Sequence, residues 1–272
     1  MIRQPVVAGT FYTSNPKALR NQVETFLENA LVKKVYSDIL GIISPHAGYI
    51  CSGQCAAYGF NAIMQKDFDM AVIIAPSHRV GGFKFSLGKY EAYNTPLGNV
   101  TVDIDTVESL LEEDGFSFIP AAHNYEHSLE VQLPFLQVVK PEARIVPIIF
   151  GNQSAENSAF LADKLANYFR DRLKGTVFIV SSDLSHYHDS IRAQEMDGKL
   201  AGLVEKSNIR ELVSLLQQRD IEACGYGGIL TLLYMAEKLH YDKIENLEYT
   251  HSGNVTYDYS QVVGYLSTAI YR

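Results

Sequence analysis

Short apolar runs recur along the chain and alternate with stretches of helical period. Ile39–Ser44 (ILGIIS), Met70–Ala75 (MAVIIA) and Val177–Ser181 (VFIVS) have no polar face, so they read as strands covered on both sides. Arg144–Phe150 (RIVPIIF) reads as a fourth. Its internal Pro147 has no N–H for a ladder, which weakens the strand reading or places it near an edge. Helical patterns separate the runs: Lys17–Leu31, Gly53–Met64, Leu129–Val139, Asn157–Leu173, Ser190–Lys206, Ile209–Gln217 and Tyr226–Leu239. In the first of these, Leu19, Val23, Phe26, Leu27 and Leu31 share one face, and Asn15 followed by Pro16 is a helix start. The alternation predicts an α/β fold with a mainly parallel central sheet between helical layers. Phe83–Tyr93 and Val100–Ile104 flank the turn cluster Asn94–Asn99 and predict an antiparallel excursion. Asn246–Thr250 and Gln261–Tyr271 read as closing strands. With no linker, composition break or repeat, residues 1–272 are expected to form a single domain.

Composition narrows the function classes. Of 272 residues, 47% are hydrophobic and 20% charged, so a core can form without disulfides or a structural metal. A metal site would therefore need a chemical reason. The net charge of -8, with no basic stripe, argues against nucleic acid as the main partner. Cys51, Cys55 and Cys224 include no CxxC pair, which fits a reducing compartment. The opening MIRQPVVAGTFYTSNP lacks the apolar core of a signal peptide, and no apolar run approaches the roughly 18 residues of a membrane span. A cytoplasmic location is expected.

An open α/β sheet carries its chemistry beyond the carboxyl ends of its strands. The run ILGIIS leads into Pro45-His46-Ala47-Gly48-Tyr49, MAVIIA into Pro76-Ser77-His78-Arg79, and VFIVSS into Asp183-Leu184-Ser185-His186. Any one of these histidines alone reads as a loop residue bonded to a neighbour. Three at equivalent strand ends point to a site, since imidazole is both a metal ligand and an acid–base group near neutral pH. Cys224 precedes the helical run at Tyr226, where a helix N-terminus favours thiolate; the alternative is a small buried apolar residue. Cys51 and Cys55 read as packing residues. In His123-Asn124-Tyr125-Glu126-His127, Asn124 reads as a helix cap with Glu126 and His127 in the first turn, and His127 reads either as a substrate-facing donor or as a supporting residue. Asp183 either orients a histidine or caps a turn. His240 and His251 carry no pattern.

These residues carry a resemblance to the Memo family. Its carriers are Arg3–Tyr12 (RQPVVAGTFY), Ser44–Tyr49 (SPHAGY), Ala75–His78 (APSH), Glu126–Phe135 (EHSLEVQLPF), Ser181–Tyr187 (SSDLSHY) and Ala223-Cys224-Gly225, in order along nearly the whole chain. The resemblance implies a fold similar to the class III extradiol dioxygenases, which hold non-haem iron with two histidines and a carboxylate. By motif, His46 and His78 match the metal-binding histidines, His186 the acid–base histidine, and Cys224 stands where the dioxygenases place the carboxylate. A thiolate there shifts metal preference toward copper, zinc or iron in a different electronic state, and departs from simple ring-cleaving chemistry. The family association also implies iron- or copper-dependent redox chemistry, phosphotyrosine-peptide binding in animal members, and radical-SAM and AMMECR-type partners in prokaryotic ones.

Three functions follow as expectations. The first is metal-dependent redox or oxygenase-type chemistry: His46, His78 and Cys224 bind iron or copper (or zinc), and His186, with Asp183 and His127 nearby, moves protons. The second is a binding module that takes a small molecule, peptide or phosphorylated ligand in the same cleft, suggested by Arg79 and Tyr49. The third is a metal-assisted hydrolase, for which three ligands and a water suffice.

Overall fold

The computed structural model describes residues 1–32, 34–36 and 38–272. In chain order the elements are β1 (Ile2–Arg3), α1 (Pro16–Asn29), β2 (Ile39–Ser44), α2 (Tyr49–Met64), β3 (Met70–Pro76), β4 (Phe85–Leu87), β5 (Ala92–Thr95) and β6 (Gly98–Thr101). Then follow α3 (Ile104–Leu111), β7 (Phe116–Ser117), α4 (Pro120–Asn124), α5 (Leu133–Val139), β8 (Arg144–Phe150), α6 (Ala155–Phe169), β9 (Thr176–Ser181) and β10 (His186–His188). The chain continues with α7 (Ser190–Glu205), α8 (Ile209–Gln218), α9 (Tyr226–Leu239), β11 (Lys243–His251), α10 (Gly253–Thr256) and β12 (Val262–Tyr271).

The four apolar runs form the middle of the main sheet. Its order is β10-β12-β2-β9-β3-β8-β4-β7, with β11 also paired to β12. The neighbours β2, β9, β3 and β8 are parallel, and every residue of β2, β3 and β9 is buried. Helices α1, α2 and α5 pack together with α2 against β2 and β12, while α9 packs on β2, β3 and β9 with α6 against it. This explains the unbroken hydrophobicity of the central strands: neither face reaches water. Strand β12 runs antiparallel to β2, as β4 does to β8.

Pro147 lies inside β8, outside which, among the described residues, are only the short strands β4 and β7. Strand β4 spans Ile148–Phe150 of β8, and Gly88, just past its end, donates its N–H to the Pro147 carbonyl at 2.9 Å. Since N–H and C=O of a strand residue share a side, the missing N–H of Pro147 faces the place where the β4 ladder has stopped. The expected excursion divides: Phe85–Leu87 is β4 of the main sheet and Ile104 opens α3, while Ala92–Thr95 and Gly98–Thr101 pair antiparallel, with β1 beside β5 in a small separate sheet, around a turn tightened to Pro96-Leu97. Asn15 caps α1 as expected, accepting from the Ala18 N–H at 2.9 Å. The stretch Leu129–Val139 is less regular than expected: Glu130–Gln132 is a 3-10 turn, and α-helix begins at Leu133.

Candidate metal centre

The carboxyl ends of β2, β3 and β9 deliver His46, His78 and Asp183 to one place, and the turn before α9 adds Cys224. Pro45 ends the β2 ladder, and the next N–H, that of His46, goes to Asp183 Oδ1 at 2.7 Å. His46 is buried, with Nε2 3.2 Å from Cys224 Sγ. Its Nδ1 meets Ser181 Oγ at 2.8 Å. The Ser181 hydroxyl donates to the Ser128 carbonyl at 2.7 Å, so it can only accept from His46. That fixes the tautomer: Nδ1 carries the proton and Nε2 presents its lone pair toward the thiol.

His78 is gripped by one carboxylate. Glu126 Oε2 accepts its backbone N–H at 2.6 Å and Oε1 meets its Nδ1 at 2.8 Å, which again leaves Nε2 free. Burial alone would raise the Glu126 carboxyl, but the hydrogen bond and charge of His78 outweigh it and bring it down to about 2. Asn124 is not the expected cap. It ends α4, its Oδ1 accepts from the Tyr90 hydroxyl at 2.8 Å, and Glu126 turns toward His78 and does not open a helix.

Cys224 is held by its backbone. Its N–H donates to the Asp183 carbonyl at 3.1 Å, its carbonyl accepts from Gln153 Nε2 at 2.8 Å, and its Sγ receives the Asp183 N–H at 3.2 Å. Gly225 lets this turn lie against the sheet, since a Cβ there would fall 2.3 Å from the Ser181 carbonyl oxygen. Burial pushes the Cys224 thiol up, and the Asp183 carboxylate adds to it. The N-terminus of α9 therefore does not by itself make a thiolate; a bound cation would.

His127 stacks on His78, with centroids 4.7 Å apart, and its other side meets the edge of Phe11 at 4.9 Å. Burial holds the His127 imidazole below its usual range and that of His46 far below. His186 donates Nδ1–H to the Leu184 carbonyl at 2.8 Å, so its Nε2 is the free ring nitrogen. Asp183 Oδ2 lies 3.9 Å from His46 Nε2, and burial raises this carboxyl. Asp183 thus grips the His46 backbone, whereas the His46 ring is oriented by Ser181.

The donor atoms of His46, His78 and Cys224 lie within 4.8 Å of one another, and so do those of His78, Glu126 and His127. Ligands of one tetrahedral ion at about 2.0–2.3 Å stand about 3.5 Å apart, so small side-chain shifts suffice for the first set. That set fits a metal: two imidazoles with Nδ1 occupied and Nε2 free, plus one sulfur. In the second set Glu126 is already taken by His78.

All six sequence candidates, His46, His78, Cys224, His127, Asp183 and His186, gather here. His123 does not. It is buried between Tyr93 OH and Ser86 Oγ at 2.8 and 2.9 Å. Tyr49 is also elsewhere, buried with its hydroxyl on the Val131 carbonyl. Sequence reasoning missed the orienting roles of Glu126, Ser181 and Gln132. Gln132 donates to both Ser181 Oγ and the Pro45 carbonyl at 2.9 Å. A signal was present: Glu126, Ser128, Glu130 and Gln132 are polar at alternate positions of a buried stretch; the first two hold the end of β3 at Pro76 and His78, Glu130 holds Arg3, and Gln132 holds the ends of β2 and β9.

Comparison with known proteins agrees along the full length. The family model described as Memo-like protein matches residues 3–269. A MEMO1 family protein of Thermotoga neapolitana is 38% identical over 289 residues, covering 99% of this chain and 100% of the relative. One from Methanosarcina mazei is 34% identical over 273 residues, covering 99% of each. Among solved structures, an uncharacterised protein of Escherichia coli K12 shares the fold at a TM-score of 0.53 and 15% identity, covering 78% of this chain and 90% of that one.

Proposed function

This chain belongs to the Memo family, and from that premise we propose that residues 1–272 act as one domain whose cleft binds a redox metal, iron or copper, for oxidoreductase or oxygenase-type chemistry. One observation carries the reading: a ring nitrogen of His46, a ring nitrogen of His78 and Cys224 Sγ lie within 4.8 Å of one another, while Ser181 and Glu126 occupy Nδ1 of the two rings and leave each Nε2 free to bind. Acceptors placed behind metal-binding imidazoles fix ring orientation and raise basicity. Two imidazoles and a thiolate suit copper, iron or zinc better than a hard cation. Bound there, iron or copper would supply electron transfer and oxygen chemistry.

The protein's own groups do the rest. Glu126 keeps the His78 ring in one orientation. Asp183 fixes the His46 backbone. His186, with Nε2 free, takes or returns a proton, and His127 lines the cluster beside His78. No helix among the described residues is long and apolar enough to cross a membrane.

Metal analysis of untagged protein, with anomalous scattering at the metal edge, tests the proposal. One iron or copper per chain is expected, lost in His46→Ala and Cys224→Ala while the fold is kept. A folded wild-type protein that takes up neither metal sinks the redox reading. Zinc with ester or amide hydrolysis would replace it by the hydrolase.

A second reading has one observation of its own. Arg79 is exposed beside His78 and makes no ion pair among the described residues, which suits a phosphorylated or acidic peptide in the same cleft. Peptide binding that persists in His46→Ala would favour it.

A further inference from the structure

Beside the cluster lies a cavity of about 670 Å³ that shares two walls with it, Cys224 and His186. Its volume is typical of small-molecule sites. The lining also carries hydrocarbon, supplied by Leu184, Val213, Leu216, Ile221 and Leu230. Val213 and Leu216 of α8 are left half-buried there, although the same helix buries Ile209 and Leu212. A helix with an incompletely covered apolar face gains from an apolar ligand.

The cavity holds one uncommitted charge. Arg219, at the end of α8, lines it and has no carboxylate within ion-pair distance among the described residues. The acid in the lining, Glu222, already accepts hydrogen bonds from His188 Nε2 at 3.2 Å and from the His186 N–H at 3.5 Å. Arg219 is thus the charged side chain of the lining left without an ion-pair or side-chain hydrogen-bond partner among the described residues, which suits an anionic group on a ligand.

We propose that this cavity is the substrate pocket of the cluster and takes a small amphipathic monoanion. Its anionic group lies against Arg219, and its aromatic or aliphatic body runs along Leu184, Val213 and Leu230 toward Cys224 and His186. The inference rests on reading the cluster as the reacting centre. It adds what the cluster alone leaves open, the class of molecule that reaches it.

The probes are 4-phenylbutyrate and its neutral counterpart 4-phenylbutan-1-ol, titrated into the full chain by ligand-observed NMR and calorimetry. Saturable binding of the carboxylate to wild type is expected. Arg219→Gln weakens the carboxylate about tenfold and leaves the alcohol unchanged. Val213→Trp, which fills the cavity, removes both. Absence of saturable binding to wild type overturns the proposal, and so does equal carboxylate affinity in wild type and Arg219→Gln. Arg219 is exposed, so that variant reads out even where Val213→Trp fails to fold. Binding lost in His46→Ala but kept in a folded Val213→Trp would put the ligand at the histidines and overturn the pocket. Metal content measured on the same samples separates the two readings: carboxylate binding in protein that takes up no metal leaves the pocket standing and removes the metal centre.

Discussion

His46 and His78 face the same thiol but lean on different acceptors, a neutral hydroxyl in one case and a carboxylate in the other. Glu126→Gln keeps the shape and removes the charge behind His78. Metal affinity is expected to fall ten- to a hundredfold, read by competition with a chelator of known strength. His186→Gln should leave metal content unchanged, because Nε2 of that ring is outside the ligand set; loss of metal in that variant would move His186 among the ligands. At this scale the sequence was informative where chemistry follows a strand end, as at His46 and His78. It misplaced Glu126, read as part of a helix's first turn although its partner His78 is 48 residues away, and was misleading at Asn124 and Tyr49, where residue type suggested a role that burial and hydrogen bonding assign elsewhere.

Elements bring these residues into register, and the N-terminal strap does so through a buried ion pair. Arg3 pairs with Glu130, and both are buried. The guanidinium also reaches the carbonyls of His123 and Glu126 at 3.1 and 2.5 Å. Glu130 accepts from the Val6 and Val7 N–H groups at 2.9 and 3.0 Å and from the Tyr12 hydroxyl at 2.6 Å. Arg3→Met strands the carboxylate and should cost about 3–5 kcal/mol in urea unfolding. The same strap carries Phe11 against His127, so that variant should also loosen His127. At Gly225, alanine must displace the turn that carries Cys224, and a loss of about 1–3 kcal/mol is expected together with weaker metal binding. Long apolar runs made β2 and β8 legible to the residue, and α9 likewise. The two-residue strands β1 and β7 have too little pattern to be seen, since pairing partners decide them. The cavity was invisible for the same reason: its walls come from Gln153, Leu184, the end of α8 and the start of α9.

For the whole molecule, the acid limb of stability has an identifiable contributor. Burial, with the Arg3 charge, holds His123 at about 3 against an ordinary value of 6.5. Between those values the unfolded chain binds a proton that the native state refuses. Stability therefore falls as pH drops from 6.5 toward 3, by up to about 1.4 kcal/mol per pH unit from this group. Urea titrations from pH 7 to 4 should show His123→Gln with a slope shallower by that amount; parallel slopes would place the proton elsewhere.

The position of β12 has a consequence for synthesis. It pairs with β2, Thr268 opposite Ile43 and Ala269 opposite Ile42, so the ribosome makes one partner long before the other. Until then the nascent chain presents an apolar, unpaired strand edge, a template for another chain. Vectorial synthesis thus leaves the β12 side of β2 unpaired until the last strand is made, and a stall before residue 262 would leave that edge exposed.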